Sequence, residues 1–291
     1  MSQKKSMTST PLISVLTSSY NRREYLSDLL NSLKIQNFTN FEWIVGDDGS
    51  NDNTYEMILS HKDNISFDIK YIKSSHRIGK AKMDNIIFEN MRGKYLIYCG
   101  SDDYFLPNAF QTLLDLVQEN SDDDFAGVCA QCVDENNKSI TFDSNSIPNE
   151  KILVKFNELK KYLIGDDAMI EFCKNFKYKK YLEVDFVINE SSLYKKIYSN
   201  KKFMISNKIV KVMRRSKDSI SFEKKLRYTR GSAYCISETI NIEEYNKFNF
   251  VKKLKTVINY WRYSIHGDLN ILFAKNLWEV VKKKNFLVFY Y

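Results

Sequence analysis

Phe41-Glu42-Trp43-Ile44-Val45-Gly46-Asp47-Asp48-Gly49-Ser50 reads as a strand buried on both faces of a parallel sheet, ending abruptly at two carboxylates and a glycine. Carboxylates at the end of such a strand lie on the edge where open α/β sheets bind ligands. They need donors there: a nucleobase N–H, a ribose hydroxyl or a cation. The arrangement recurs where Tyr95-Leu96-Ile97-Tyr98-Cys99 runs on to Asp102-Asp103. Asp, Asn, Ser and Gly also make turns and helix N-caps, so either pair alone equally suits a turn, and the repetition is what points to a site.

On either side of this run, strand and helix patterns alternate. Leu12 to Leu16 is a short β-branched run, and Leu26, Leu29, Leu30 and Leu33 follow at helical spacing. Thr54 to His61 reads as a helix behind the Asp-Gly-Ser turn, and Phe67 to Ile72 as a third strand. Gly79 opens a helix carrying Met83, Ile86, Ile87 and Met91, with Gly93 as its C-terminal cap. Pro107 suits the first turn of a helix with Phe110, Leu113, Leu114 and Val117, and Phe125 to Val133 is a further strand. The pattern predicts an α/β fold with a doubly wound, mostly parallel sheet flanked by helices. From Asp134 to Glu150 the chain reads as a polar loop or edge hairpin, and the last seventy or so residues read as amphipathic, basic and helical.

With 43% hydrophobic and 27% charged residues over 291 positions, the composition is that of a globular chain. No stretch approaches the roughly 18 uninterrupted apolar residues of a membrane helix. Residues 1–10 are polar and basic, which predicts a disordered lead rather than a signal peptide and a cytoplasmic location. Five cysteines at 99, 129, 132, 173 and 235 fit reduced thiols, and the lone Cys129-x-x-Cys132 sits inside an apolar run without a second pair. Net charge is +8, concentrated in 174–230 and 247–284, a surface that attracts phosphosugars, nucleic acid or acidic headgroups.

Four motifs in order carry a resemblance: Ile13-Ser14-Val15-Leu16-Thr17-Ser18-Ser19-Tyr20-Asn21-Arg22, then Leu33-x-x-Gln36, then Phe41 to Ser50, then Asp102-Asp103 followed by Pro107. Over residues 11 to 120 the chain resembles the family 2 glycosyltransferases. The resemblance implies a GT-A fold, a UDP-sugar donor, Mn2+ or Mg2+, and inversion at the anomeric carbon. It implies a catalytic domain over 11–222, with a nucleotide-sugar half at 11–120 and an acceptor half at 121–222, ahead of a helical region at 223–291. A bacterial surface glycan, such as a capsule, O-antigen or lipooligosaccharide, is the implied product.

The residues carried over have chemistry of their own. Tyr20 offers a ring face for stacking uracil, a contact worth about 1–3 kcal/mol, and equally suits a half-buried packing tyrosine. Asp48 can accept the imide N–H of uracil, which cytosine lacks. Asp47 contacts ribose or caps the next helix, and Ser18 is small enough to let the nucleotide approach. Asp102 corresponds to the metal-holding carboxylate, with Asp103 beside it for metal or ribose. Gly100 stands where many relatives carry a further aspartate. Arg77 and Lys80, flanking Gly79, can meet phosphate at a helix N-terminus, or form a solvated basic turn. Glu190 is the expected general base on the acceptor side, Asp185 the reserve, and Asp166 or Asp167 a more distant choice. Arg215, or its neighbour Arg214, lies in the segment that in relatives closes over the diphosphate.

Partners expected on this basis are a nucleotide-sugar donor and a glycan or lipid-linked glycan acceptor. Lys252, Lys253, Lys255 and Lys282 to Lys284 beside Trp261, Trp278 and Phe286 have the composition of an interfacial segment, suited to the inner membrane face, to a homodimer or to packing on the catalytic domain. Gly100 favours an alternative, a nucleotide-binding scaffold without turnover. Charge and aromatics alone would suit a nucleic-acid binder, but the chain has no such module and its clustered acids would repel a phosphate backbone. A sugar nucleotidylyltransferase would carry a glycine-rich loop where Thr17-Ser18-Ser19-Tyr20-Asn21 stands.

Overall fold

β1 (Ile13–Ser19) is an interior strand, buried along almost its whole length. It pairs in parallel with β2 (Phe41–Asp47) on one side and with β4 (Tyr95–Tyr98) on the other. β3 (Asp68–Lys73) extends the sheet beyond β2, again in parallel. The chain thus lays β1, β2 and β3 in one direction across the sheet and then returns to place β4 on the opposite side of β1. That makes the β1–β4 junction the topological switch point, and it puts Ser18, Asp47, Asp48 and the residues after Tyr98 on one C-terminal edge. The structure is a computed structural model describing residues 10–143, 146–165, 167–176, 180–181, 191–214, 231–236 and 248–266.

Side-chain alternation divides the core between the two sheet faces. Ile13, Val15, Trp43, Val45 and Ile97 point to the face covered by α1 (Arg23–Lys34) and α4 (Ala109–Gln118), where Leu26, Leu29, Leu30, Leu33, Phe110 and Leu113 are buried. The short α2 (Thr54–Ser60) follows the acidic turn. On the opposite face α3 (Lys80–Glu89) packs against β1 and β2. Gly46 makes that packing possible, because a β-carbon there would lie 2.7 Å from Met83 Sδ and 2.8 Å from Ile87 Cγ2. Gln36 closes the end of α1, its amide donating to Ser32 O at 3.0 Å and Leu106 O at 2.9 Å while its oxygen accepts from Phe110 N at 3.3 Å.

Gly93 does not cap α3, which ends at Glu89 with Asn90 at its C-cap. Its role is close approach: a β-carbon there would meet Ser14 N at 2.7 Å, and its own amide donates to Ser14 Oγ at 2.9 Å. Likewise Pro107 precedes α4, whose N-cap is Asn108 with φ 64°.

Beyond β4 the sheet continues as β8 (Ala168–Phe172), β6 (Phe125–Val133), β9 (Lys202–Val212) and β5 (Tyr104–Phe105), with β7 (Lys151–Lys155) also paired to β9. β9 runs parallel to β6, and β8 runs antiparallel between β4 and β6. β5 and β7 are antiparallel to β9. Among the described residues, β1 to β4, β6 and β9 therefore point one way and β5, β7 and β8 the other. The sheet is mixed and mostly parallel. Register shifts where β6 meets β9 break the alternation that would have betrayed β9.

Two compact units divide the chain: Met1–Lys180 with Ile197–Ser216, and Tyr181–Lys196 with Lys217–Tyr291. The first holds the sheet. α5 (Ser191–Tyr198) crosses the boundary, and in the first unit its Tyr198 packs on Phe156 and Phe203. In the second unit, the helix Phe250–His266 buries Tyr260 and Ser264 and leaves Val251, Leu254, Ile258 and Ile265 exposed. No helix among the described residues is long and apolar enough to cross a membrane. Cys99, Cys129 and Cys132 are buried free thiols.

At the N-terminal end of the strands, the fully buried Glu42 accepts from Ser14 Oγ at 2.7 Å and from the Arg92 amide and Nε, both at 2.8 Å. One carboxylate thus joins β1, β2 and the approach to β4. Glu42→Ala strands these donors, with Arg92 still reaching water, and is expected to cost about 2–3 kcal/mol in urea unfolding.

Candidate donor-binding site

Asp47 and Asp48 end β2 but face different partners. Asp47 is fully buried; its Oδ1 accepts from Ser50 N at 2.8 Å, and Tyr71 OH donates to its Oδ2. Burial and this hydrogen bond push the Tyr71 phenol well up, so it stays neutral and donates. Asp47 therefore shapes the Asp-Gly-Ser turn, and it is Asp52 that accepts from Thr54 N, at 3.2 Å, where α2 begins. Asp48 reaches the loop before α3: its Oδ1 accepts from Ile78 N at 2.6 Å and its Oδ2 from Gly79 N at 3.0 Å. Gly49, at φ 82°, lets that loop approach, since a β-carbon would meet the His76 carbonyl carbon at 2.7 Å. The carboxylate proposed to read the nucleobase is thus also the anchor of the loop that carries Arg77.

Arg77 lies across Tyr20, its guanidinium carbon 4.4 Å from the ring centroid. Tyr20 is 36% exposed, so an aromatic ring and a cation stand together at the mouth of the edge. Just inside, Lys80 Nζ donates to Asp84 Oδ2 at 2.7 Å and sits 4.7 Å above the Tyr98 ring. Asp84 is buried and also accepts from Tyr98 OH at 2.9 Å and from Ser18 Oγ. Nothing in the sequence pattern marks Asp84, which lies on the α3 face turned to the ends of β1 and β4. Its only signal is a carboxylate four residues after Lys80, a common surface pairing on helices.

The second acidic pair splits in the same way. Asp102 is half-buried, whereas Asp103 is 4% exposed. Asp103 Oδ1 accepts from Arg214 N at 3.2 Å, and its Oδ2 lies 3.5 Å from Lys211 Nζ. Burial and the neighbouring Asp102 push the Asp103 carboxyl up, against the pull of Lys211 and the Arg214 amide. Gly100 lies between the two acids, its absent β-carbon falling 3.2 Å from Asp102 Oδ1 and 3.0 Å from Asp103 Oδ2. Arg214 is committed elsewhere: it pairs with Asp28 at 2.7 Å and Glu135 at 3.2 Å and covers the Tyr104 ring at 4.7 Å.

Glu190, Asp185, Asp166 and Arg215 lie outside the described residues. Asp167 is described, and its carbonyl accepts from Lys211 Nζ at 3.1 Å. Among the described residues no three His, Cys, Asp or Glu side chains gather as a cage for a metal ion. An ion with octahedral oxygen preference that brings diphosphate and water as ligands fits Asp102 all the same, because such ions take few protein carboxylates.

Ser18, Tyr20, Asp48, Arg77, Lys80 and Asp102 therefore converge on the C-terminal edge of three adjacent parallel strands. The chain matches the model of Glycosyl transferase family 2 over residues 14–184. It is 27% identical over 199 residues to the GalNAc(5)-diNAcBac-PP-undecaprenol beta-1,3-glucosyltransferase of Campylobacter jejuni, covering 67% of this chain and 62% of that protein. The chain spans less than two thirds of the length of the first curated relatives it matches. Among solved structures, S. aureus TarS 1–349 in complex with UDP-GlcNAc superposes with a TM-score of 0.65 at 17% identity, over 87% of this chain and 72% of that one. The mannosyltransferase PcManGT of Pyrobaculum calidifontis, in complex with GDP-Man and Mn2+, gives 0.60 at 12% identity, over 95% of this chain and 75% of that one. The sheet order and these superpositions establish the GT-A fold, and the match over residues 14–184 of 291 places the chain in glycosyl transferase family 2.

Proposed function

We propose that this chain is an inverting glycosyltransferase that moves a sugar from a UDP-sugar to a glycan or lipid-linked glycan acceptor in the synthesis of a bacterial surface glycan. The observation that carries the proposal is the convergence of Asp48, Tyr20 with Arg77, Lys80 and Asp102 at the switch point between β1 and β4. Tyr20 and Asp48 suit a uracil, by stacking and by accepting its imide N–H. Arg77 and Lys80 supply positive charge for a diphosphate near the α3 N-terminus. Asp102, with Asp103 behind it, would hold Mn2+ or Mg2+ against the diphosphate, and such an ion neutralises the charge that develops on the leaving group. Glu190 is proposed to take the proton from the attacking hydroxyl, with Asp185 in reserve.

Support for the donor comes from TarS, whose structure is described in complex with UDP-GlcNAc. The name of the Campylobacter relative includes an undecaprenol-linked acceptor. A lipid-linked acceptor would suit a peripheral position at the inner membrane face, where exposed Leu254, Ile258 and Ile265, with Lys255 and Arg262 beside them, offer apolar contact and positive charge. A homodimer is the competing use of that face. Gly100 supports a second reading, a donor-binding protein without turnover, because it removes an acidic side chain from the site.

UDP release from a panel of nucleotide sugars, in manganese, magnesium or EDTA, separates these readings. One UDP-sugar is expected to be hydrolysed slowly in a metal-dependent way, and Asp102→Ala to reduce the rate by about 100-fold or more without changing the melting temperature. UDP binding without any turnover, acceptor included, would establish the scaffold. Asp48→Ala is expected to weaken UDP by roughly ten-fold and to narrow the gap between UDP and CDP, read by calorimetry. An equal loss for both nucleotides would assign Asp48 to loop anchoring alone. Glu190→Gln should bind UDP normally and stop transfer to acceptor, and normal turnover would move the general base to Asp185 or beyond.

A further inference from the structure

Asp84 is a buried carboxylate to which the proposed reaction gives no role; its side chain is 2% exposed. Three elements converge on it. Its Oδ1 accepts from Ser18 Oγ of β1 and from Tyr98 OH of β4, the latter at 2.9 Å, while its Oδ2 accepts from Lys80 Nζ of α3 at 2.7 Å. Ser18 and Tyr98 each spend the single hydrogen of a hydroxyl on this carboxylate, so toward a ligand their oxygens only accept. Lys80 is the member of the group that can meet an anion. Its side chain is 33% exposed, which makes the ammonium the outer partner of the pair, and its Nζ lies 4.7 Å from the centroid of the Tyr98 ring. The helix itself gains little from this arrangement. Lys80 is the first residue of α3, where the helix dipole disfavours a cation and no acid stands in the first turn, and a lysine ahead of an acid at i,i+4 is the weaker order of such a pair.

We propose that Asp84 is a positioning residue for donor binding: it holds Lys80 at the β1–β4 switch point, so that the ammonium is already ordered when the diphosphate of the nucleotide sugar arrives. An unheld lysine side chain explores many rotamers, and ordering it on a ligand costs affinity. Asp84 and the Tyr98 ring remove that freedom in the folded protein. The buried carboxylate also lowers the positive charge that a phosphate meets, which opposes the first effect. Position prevails, because the ammonium lies outside the carboxylate and so stands closer to whatever binds at the edge. Tyr98 serves both halves of the arrangement, its hydroxyl on Asp84 and its ring beside the ammonium. An asparagine at position 84 fills the same space but has no charge for the ammonium and only one oxygen for three donors.

The inference rests on the proposed donor site, and the test separates the two. Affinities for UDP, by calorimetry, and for uridine, by ligand-observed NMR, are measured in one magnesium buffer for wild type, Lys80→Met, Asp84→Asn and Asp84→Asn/Lys80→Met, with the melting temperature of each. The quantity read is the phosphate gain, the ratio of UDP affinity to uridine affinity. Lys80→Met is expected to lower the gain by about ten-fold. Asp84→Asn should lower it by about five-fold while uridine affinity stays within about two-fold of wild type. The double variant should match the gain of Lys80→Met within about two-fold, because an anchor has nothing to hold once the lysine is gone. Should Asp84→Asn alone not fold, the double variant removes both charges of the pair together, and its comparison with Lys80→Met carries the test. A gain that is unchanged or increased in folded Asp84→Asn, or a further loss in the double variant, would overturn the proposal, as would an equal loss of uridine and UDP, the mark of a merely structural role. No gain in wild type, or a gain untouched by Lys80→Met, would overturn the placement of Lys80 on the diphosphate and this inference with it.

Discussion

A carboxylate removed from water must find donors, and four buried aspartates, Asp47, Asp48, Asp84 and Asp103, lie along or beneath one edge of this sheet. Each meets the requirement differently. Asp47 takes a turn amide and a phenol; Asp48 takes two loop amides. Asp84 takes two hydroxyls and an ammonium, and Asp103 an amide with a buried ammonium nearby. These pairings hold the 74–79 loop, the start of α3, the acidic turn after β4 and the end of β9 in fixed relation. A sheet edge that would otherwise be a set of independent loops becomes one connected polar surface.

The proposed donor, with an aromatic base at one end and negative charge in the middle, would meet rings and cations already in place on that surface. The Tyr20 ring with Arg77 lies near the anchor of Asp48, and Lys80 stands over Tyr98 at the switch point. Holding the cations on aromatic rings and on Asp84 limits their freedom before any donor arrives, which reduces the entropy that binding must remove. In the acidic turn Asp102 is half-buried while Asp103 is turned inward. A family 2 glycosyltransferase that lacks an acid at position 100 thus still gathers carboxylate oxygens around that glycine.

The packing beneath the edge obeys the same economy of special residues. Gly46 admits α3, Gly93 admits the backbone of β1, and Gly49 admits the 76–77 backbone. In each case a side chain would occupy space already filled, so these glycines answer to distance, and only Gly49 also answers to a positive φ.

The sequence by itself determined the alternation of strands and helices through Phe125 to Val133, the ending of β2 and β4 in acidic turns, and the family. Those features are local: apolar runs, helical spacing and turn residues act over a few positions. Only the tertiary structure decided that β8 enters antiparallel, that Asp84 is the shared acceptor for Ser18, Tyr98 and Lys80, and that Arg214 is bound to Asp28 and Glu135 rather than left for phosphate. It also decided the partner of Asp103, because Lys211 is one lysine among many in a basic chain. The contact joins segments as far apart as Asp103 and Arg214, 111 positions along the sequence. Whether a charged residue is buried against an opposite charge or solvated depends on which strands become neighbours, and strand order is a property of the folded sheet that no short window of sequence contains.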